Sequence, residues 1–281
     1  MGVRGRKAEA GVFLAVAFVA AGLLGAVQPA VGIPPEVVQL TQFGPAAGVL
    51  VCALLWPARI RRRLAGALPG ARHGAPPPQA PAVAPPARTA GSPPRTGWSL
   101  LVTAPLIITL SAGAYAVVHD GPVATDPRTL SHPFLLVVVA QLAGACGEEI
   151  GWRCLLQPLL RSRFGPLTSS GVVGVVWGVW HVGVFAQAPA YAAGFLVATV
   201  AMSVVLGLAL ERIRANRLLL AGGFHALVNL GMLLFMDEES GAVPPMLLFA
   251  AACLVVALLW VVRAGVRAPG ATIAAARSGA L

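Results

Sequence analysis

Glu148, Glu149 and Arg153, then His181, then His225 and Asn229 form three separated polar clusters inside otherwise apolar stretches of the chain. Ionisable groups at membrane depth are costly, so they mark a functional site by default. A carboxylate, two imidazoles and an amide are the groups of general acid–base chemistry and of oxyanion stabilisation. The same groups build the proton relays of transporters.

The spacings assign different work to each group. Neighbours on a helix point about 100° apart, so Glu148 and Glu149 cannot share a role. Glu149 has Arg153 four residues on, the spacing of an ion pair along a helix in which each charge neutralises the other. Glu148 has Trp152 at that position and is left to face a histidine from another helix. His225 and Asn229 are four apart and share a face, an arrangement that suits a developing oxyanion and equally suits hydrogen bonding between helices. Each cluster has small residues on its face: Gly144 and Gly151 beside Glu148, Gly174 and Gly178 beside His181, Ala221 and Gly222 beside His225. Such faces let helices approach closely. Trp177 and Trp180, next to His181 on its helix, either wall the site or simply pack, and packing is the reading taken.

The elements that must hold these groups are transmembrane helices. The chain is 57% hydrophobic and only 11% charged, with repeated apolar runs of spanning length. The expected fold is all-α: a polytopic membrane bundle of about eight helices over 10–27, 37–58, 98–118, 134–160, 167–185, 190–210, 218–236 and 243–262. The runs are apolar on every side, which excludes the alternating pattern of a barrel. The fourth run is about 40 Å of helix against a hydrocarbon core of about 30 Å, so it must tilt or bend near Pro158.

The net charge of +10 follows from topology rather than from nucleic-acid binding. With the amino terminus cytoplasmic, every basic residue except Arg128 and the intramembrane Arg153 falls on the cytoplasmic side, as the positive-inside rule requires. Both termini are then cytoplasmic, and Asp237, Glu238 and Glu239 face outward with His119, Asp120, Asp126 and His132. The first run, preceded by Arg4, Arg6 and Lys7, is long enough to be a retained anchor rather than a cleaved signal. Cys52, Cys146, Cys154 and Cys253 all fall within runs, which suggests buried thiols and neither a disulfide framework nor a CxxC metal site. Four segments result: a two-helix membrane unit (1–58), a Pro/Ala/Arg-rich disordered cytoplasmic linker (59–97), a six-helix core holding every polar cluster (98–265) and a cytoplasmic tail (266–281).

Glu148-Glu149-x3-Arg153, Trp177-x3-His181 and His225-x3-Asn229, in that order on separate membrane helices, resemble the CAAX protease and bacteriocin-processing (CPBP, Abi) family of intramembrane endopeptidases. The stretch from Glu148 to Arg153, Glu-Glu-Ile-Gly-Trp-Arg, is close to the family's first motif. Trp177 departs from its second, which usually has Phe there. The resemblance covers roughly residues 134–236 and implies peptide-bond hydrolysis within the membrane. Glu148 and His181 would activate a water, His225 and Asn229 would hold the oxyanion, and Glu149 and Arg153 would brace the site. The family is labelled both metalloprotease and glutamate-type. Glu148, His181 and His225 would make a zinc shell, yet the H-E-x-x-H helix motif is absent, and the reading taken is that no metal is obligatory. The expected partners are the lipid bilayer and a membrane-embedded or membrane-associated peptide substrate, with no nucleic acid. Nineteen Arg against one Lys point to a bacterial gene and hence to the bacterial plasma membrane, where bacterial relatives suggest peptide processing, self-immunity or signalling. A proton-coupled transporter and a catalytically inactive scaffold are the competing functions.

Overall fold

The structure is a computed structural model that describes residues 3–67, 97–118, 124–211, 213, 215–236 and 241–265. The expected linker, the carboxyl-terminal tail, His73, His119, Asp120 and the 237–239 acidic cluster lie wholly or largely outside these residues. Every regular element among the described residues is helical, as hydrocarbon requires of a chain that must satisfy its backbone internally. The helices are α1 (Val3–Val31), α2 (Gly44–Leu55), α3 (Pro57–Arg63), α4 (Trp98–Val118), α5 (Phe134–Gly151), α6 (Gln157–Arg161), α7 (Pro166–Trp180), α8 (Pro189–Leu210), α9 (Arg217–Phe235) and α10 (Val243–Ala264). Large apolar side chains such as Leu54, Val102, Leu135 and Leu258 project outward, exposed, as they would toward lipid.

Six helices among the described residues are long and apolar enough to cross a membrane. The two remaining expected spans are represented by shorter helices, α2 with 12 residues and α7 with 15, which fall short of the roughly 20 residues that a crossing takes. Local chemistry sets these ends. A 3-10 turn (Leu40–Phe43) precedes α2, and Pro57 follows its last turn, where the residue before a proline is steered out of helix. α7 stops at His181, whose backbone turns to φ −76°, ψ 63° before a 3-10 segment (Val182–Ala186). Both flanks stay apolar, so hydropathy alone runs past the helix ends.

Near Pro158, where a tilt or bend was expected, a π-helical turn (Trp152–Leu156) joins α5 to α6. Gln157 N–H reaches back to Trp152 O, five residues away. Proline has no N–H to give the carbonyl four residues before it, and the widened turn absorbs that defect.

The long helices form a ring. α5 packs on α9, α9 on α4, α4 on α10, α10 on α8 and α8 on α7, while the π turn touches both α9 and α7 and so closes the circuit. α1 and α2 pack on each other, and α2 lies against the outside of α5. The small faces seat these contacts. A Cβ on Gly151 would sit 2.6 Å from Pro45 Cβ and 2.9 Å from the Phe13 ring, and one on Gly147 would sit 2.9 Å from the Phe43 ring. Gly222 abuts Cys146 and brings α9 onto α5. The glycines beside Glu148 therefore receive the amino-terminal unit, and those beside His181 receive α8; only Gly222 joins two helices that both carry site residues.

At one end of the ring, Glu9 is fully buried and paired with Arg63 at 2.8 Å and Arg59 at 3.3 Å. The segment after α3 caps α9: Arg217 N–H and Leu218 N–H donate to the carbonyls of Gly66 and Ala67, two of the donors a helix start leaves orphaned. The basic ends of α3, α6 and α9 thus gather on the same side.

Gly174 lies in the α7–α8 seam, where an added Cβ would meet Val200 Cα at 2.6 Å and Ser203 Cβ at 2.8 Å, whereas Gly171 on the same helix has nothing within 4 Å. Gly174→Leu should destabilise the purified protein by about 1–3 kcal/mol, the cost of overpacking against backbone, and Gly171→Leu should leave thermal unfolding in detergent unchanged. Equal melting of the two variants would contradict this packing.

Candidate active site

The site forms where the π turn meets α7 and α9. Glu148 and Glu149 occupy the last full turn of α5, and Arg153 lies in the π turn. His181 caps the end of α7, and His225 sits mid-way along α9. Glu148, Glu149, Arg153 and His225 are each at most 5% exposed; His181 and Asn229 are half-buried.

The two adjacent glutamates diverge as their helix geometry demands. Glu149 turns to α9 and to its own helix: Oε1 accepts from His225 Nδ1 at 3.1 Å, and Oε2 lies 3.2 Å from Arg153 Nε. The Arg153 contact is an ion pair rather than an aligned hydrogen bond. The guanidinium also lies over the Trp177 ring, with Cζ 5.1 Å from its centroid, a cation–π placement. Glu148 turns to α7, where Trp177 Nε1 donates to its Oε2 at 2.6 Å. Its Oε1 has no hydrogen-bond partner among the described residues. The tryptophan that holds Oε2 stands edge-on to both imidazoles. Glu148 does not bond a histidine directly; the tryptophan takes that place.

The histidines are anchored differently. His181 Nδ1 lies 2.9 Å from Trp177 O, the carbonyl one turn back. A carbonyl only accepts, so Nδ1 carries the proton, and in the neutral ring Nε2 is an acceptor. The ring stands edge-on to Trp180 and Phe195, both at 4.9 Å between centroids. His225 gives its Nδ1–H to a carboxylate, the partner that also stabilises an imidazolium. Its ring meets Trp177 at 5.1 Å.

Asn229 is the outlier of the expected set. Its Nδ2 donates to Gln141 Oε1 on α5 at 3.1 Å. Gln141 in turn donates to the carbonyls of Glu36 and Val37, each at 3.4 Å. Gln141 did not stand out in the sequence; its one signal is that it precedes Glu148 by seven residues and so shares its face. The hydrogen-bonding role of Trp177 was likewise hidden behind its packing role. His132 meets Ser131 in the loop before α5, away from the site.

Among the described residues, no group of three or more His, Cys, Asp or Glu side chains is arranged to hold a metal ion.

Residues 130–231 match the family described as Type II CAAX prenyl endopeptidase Rce1-like, a segment that contains all three polar clusters. The chain is also similar to lysostaphin resistance protein A of Staphylococcus aureus strain MRSA252, with 26% identity over 144 residues, 50% of this chain and 34% of that protein. The same protein from strains bovine RF122 / ET3-1 and Newman matches to the same extent. The matched region is thus about a third of the length of these relatives. The three motifs' resemblance to the CAAX protease family agrees with this match, which covers residues 130–231 of a multi-pass helical membrane protein.

Glu149 neutralises Arg153 where neither meets solvent, with side-chain exposures of 0% and 1%. Glu149→Gln keeps the shape and strands the guanidinium, so thermal unfolding should report a loss of about 3 kcal/mol or more. A native melting temperature in that variant would remove the bracing role.

Proposed function

We propose that this protein is an intramembrane endopeptidase that hydrolyses a peptide bond of a membrane-associated protein or peptide. The observation that carries this reading is the Glu148 carboxylate: buried, held at one oxygen by Trp177, whose ring stands edge-on to both imidazoles, and without a hydrogen-bond partner among the described residues at the other. The Rce1-like match over the same residues supports it.

In the proposed reaction, Glu148 takes a proton from a water whose oxygen attacks the scissile carbonyl carbon. His181, with Nδ1–H committed to a carbonyl, offers Nε2 as the acceptor that orients that water. Negative charge then develops on the carbonyl oxygen. His225 in its doubly protonated form donates to it through Nε2, with Glu149 balancing the ring's charge. The second donor is Asn229, whose amide is oriented by Gln141. Collapse of the tetrahedral species breaks the C–N bond, and the proton held by Glu148 passes to the departing amine. Glu149 and Arg153 brace the site, and no metal is required.

The proposed setting is a bacterial plasma membrane with both termini cytoplasmic. The clustering of Arg59, Arg63, Arg161 and Arg217 at helix ends is consistent with that orientation. The matched family is named for prenylated substrates, whereas the substrate proposed here is a bacterial membrane peptide, with a role in peptide processing, self-immunity or signalling.

Purified protein in liposomes, given a mixture of internally quenched peptides, should cleave at least one of them. Glu148→Gln should lose activity by about 10²–10⁴-fold, the range for a general base, while melting at the native temperature. A strong chelator should leave the native rate unchanged. Undiminished cleavage by Glu148→Gln would reject the mechanism, and abolition by chelator with recovery on added zinc would reject its metal-free form.

A further inference from the structure

We propose that Trp177 is a positioning residue for Glu148: its indole N–H fixes one carboxylate oxygen so that the other alone faces the reacting water. This rests on the endopeptidase reading above. An indole N–H can only donate, so this bond is made to a carboxylate oxygen that accepts. The bond is 2.6 Å long, and its two residues are 2% and 1% exposed. The Arg153 guanidinium pairs with Glu149 instead. Without the indole proton, Glu148 would retain no hydrogen-bond donor among the described residues, since Oε1 has none.

The tryptophan is itself held from several sides. His225 lies at 5.1 Å and His181 at 6.0 Å between ring centroids, both edge-on, and Arg153 lies over the ring. Its carbonyl oxygen meanwhile takes the His181 Nδ1 proton. One residue therefore sets the rotation of the base through its side chain and the tautomer of a histidine through its backbone. A phenylalanine would keep the ring contacts and the carbonyl but not the hold on Glu148. The consequence falls on the chemical step: a carboxylate free to rotate reaches the reactive geometry less often, while substrate binding is unaffected.

The test replaces the donor without changing the shape. β-(3-Benzothienyl)alanine at position 177 has sulfur where the indole has N–H, and Trp177→Phe supplies an encoded counterpart. With the quenched-peptide mixture in liposomes, both should lower kcat by about tenfold or more, as expected for a lost hydrogen bond to a charged group, with KM within about twofold. A second readout is independent of activity: the indole 15N–1H resonance of Trp177 should move upfield in Glu148→Gln. Native kcat in the benzothienyl protein, or a resonance that stays put, overturns the proposal. If Glu148→Gln is inactive while the benzothienyl protein is fully active, this proposal falls and the endopeptidase reading stands. If Glu148→Gln cleaves normally, both fall.

Discussion

Burying the Arg153 guanidinium is the constraint on which the rest of the structure depends. A cation in an apolar bundle is tolerable only with a counter-charge and additional partners in place. Glu149 supplies the charge from the preceding turn, the Trp177 face supplies a quadrupole, and His225 takes the second oxygen of Glu149. Those partners come from α5, α7 and α9, so neutralising one charge requires three helices to meet at one depth. The adjacent glutamates make this economical. Because neighbouring helical positions diverge by about 100°, one turn of α5 addresses α9 through Glu149 and α7 through Glu148. The π turn that carries Arg153 widens the helix at that level, as π turns often do at functional sites.

The segment that matches the family does not pack alone. Trp152, inside the first motif, is fully buried between Phe13 of α1 and Trp180 of α7, edge-on to both at 5.5 Å and 5.8 Å. Trp180 also donates its indole N–H to Ala17 O at 3.3 Å. A chain of rings therefore runs from α1, outside the matched residues, to the tryptophan that stands against His181. Gln28 does similar work at the other end, bonding Ile33 O, Val38 O and Leu40 N. It orders the loop whose Glu36 and Val37 carbonyls receive Gln141, and Gln141 receives Asn229. Both ends of the proposed oxyanion and water-activating apparatus are thus tied to the amino-terminal helices.

The parts of this arrangement that follow from short-range spacing were legible in the sequence. The Glu149–Arg153 pair is a statement about four residues on a helix, and the split between the two glutamates is a statement about angle; both hold in the structure. Helical architecture and membrane character follow from uniform apolarity. Features that depend on a partner helix were not legible. Small residues at 144, 151, 174 and 178 announced close approach, but not that α1, α2 and α8 would occupy those faces rather than other site helices. His181 was read as mid-helix because nothing after it in sequence breaks a helix: Val182, Gly183 and Val184 remain apolar and small. In the structure the helix ends at this residue, with the imidazole turned back onto the Trp177 carbonyl.

The two histidines are not interchangeable, and their anchors explain why. A carbonyl accepts a hydrogen bond but carries no full charge, so His181 is held in one tautomer. A carboxylate does both, and Glu149 is itself held by Arg153. On the proposed chemistry this asymmetry separates the functions: the ring on a carbonyl presents a lone pair, and the ring on a carboxylate can carry a second proton toward an oxyanion. Exchanging the anchors would leave a neutral ring facing developing negative charge and a cation where a proton acceptor is needed. The order of the motifs along the chain therefore matters less than which backbone or side-chain acceptor each imidazole meets. That is decided by the meeting of α5 with α7 and α9 around Arg153.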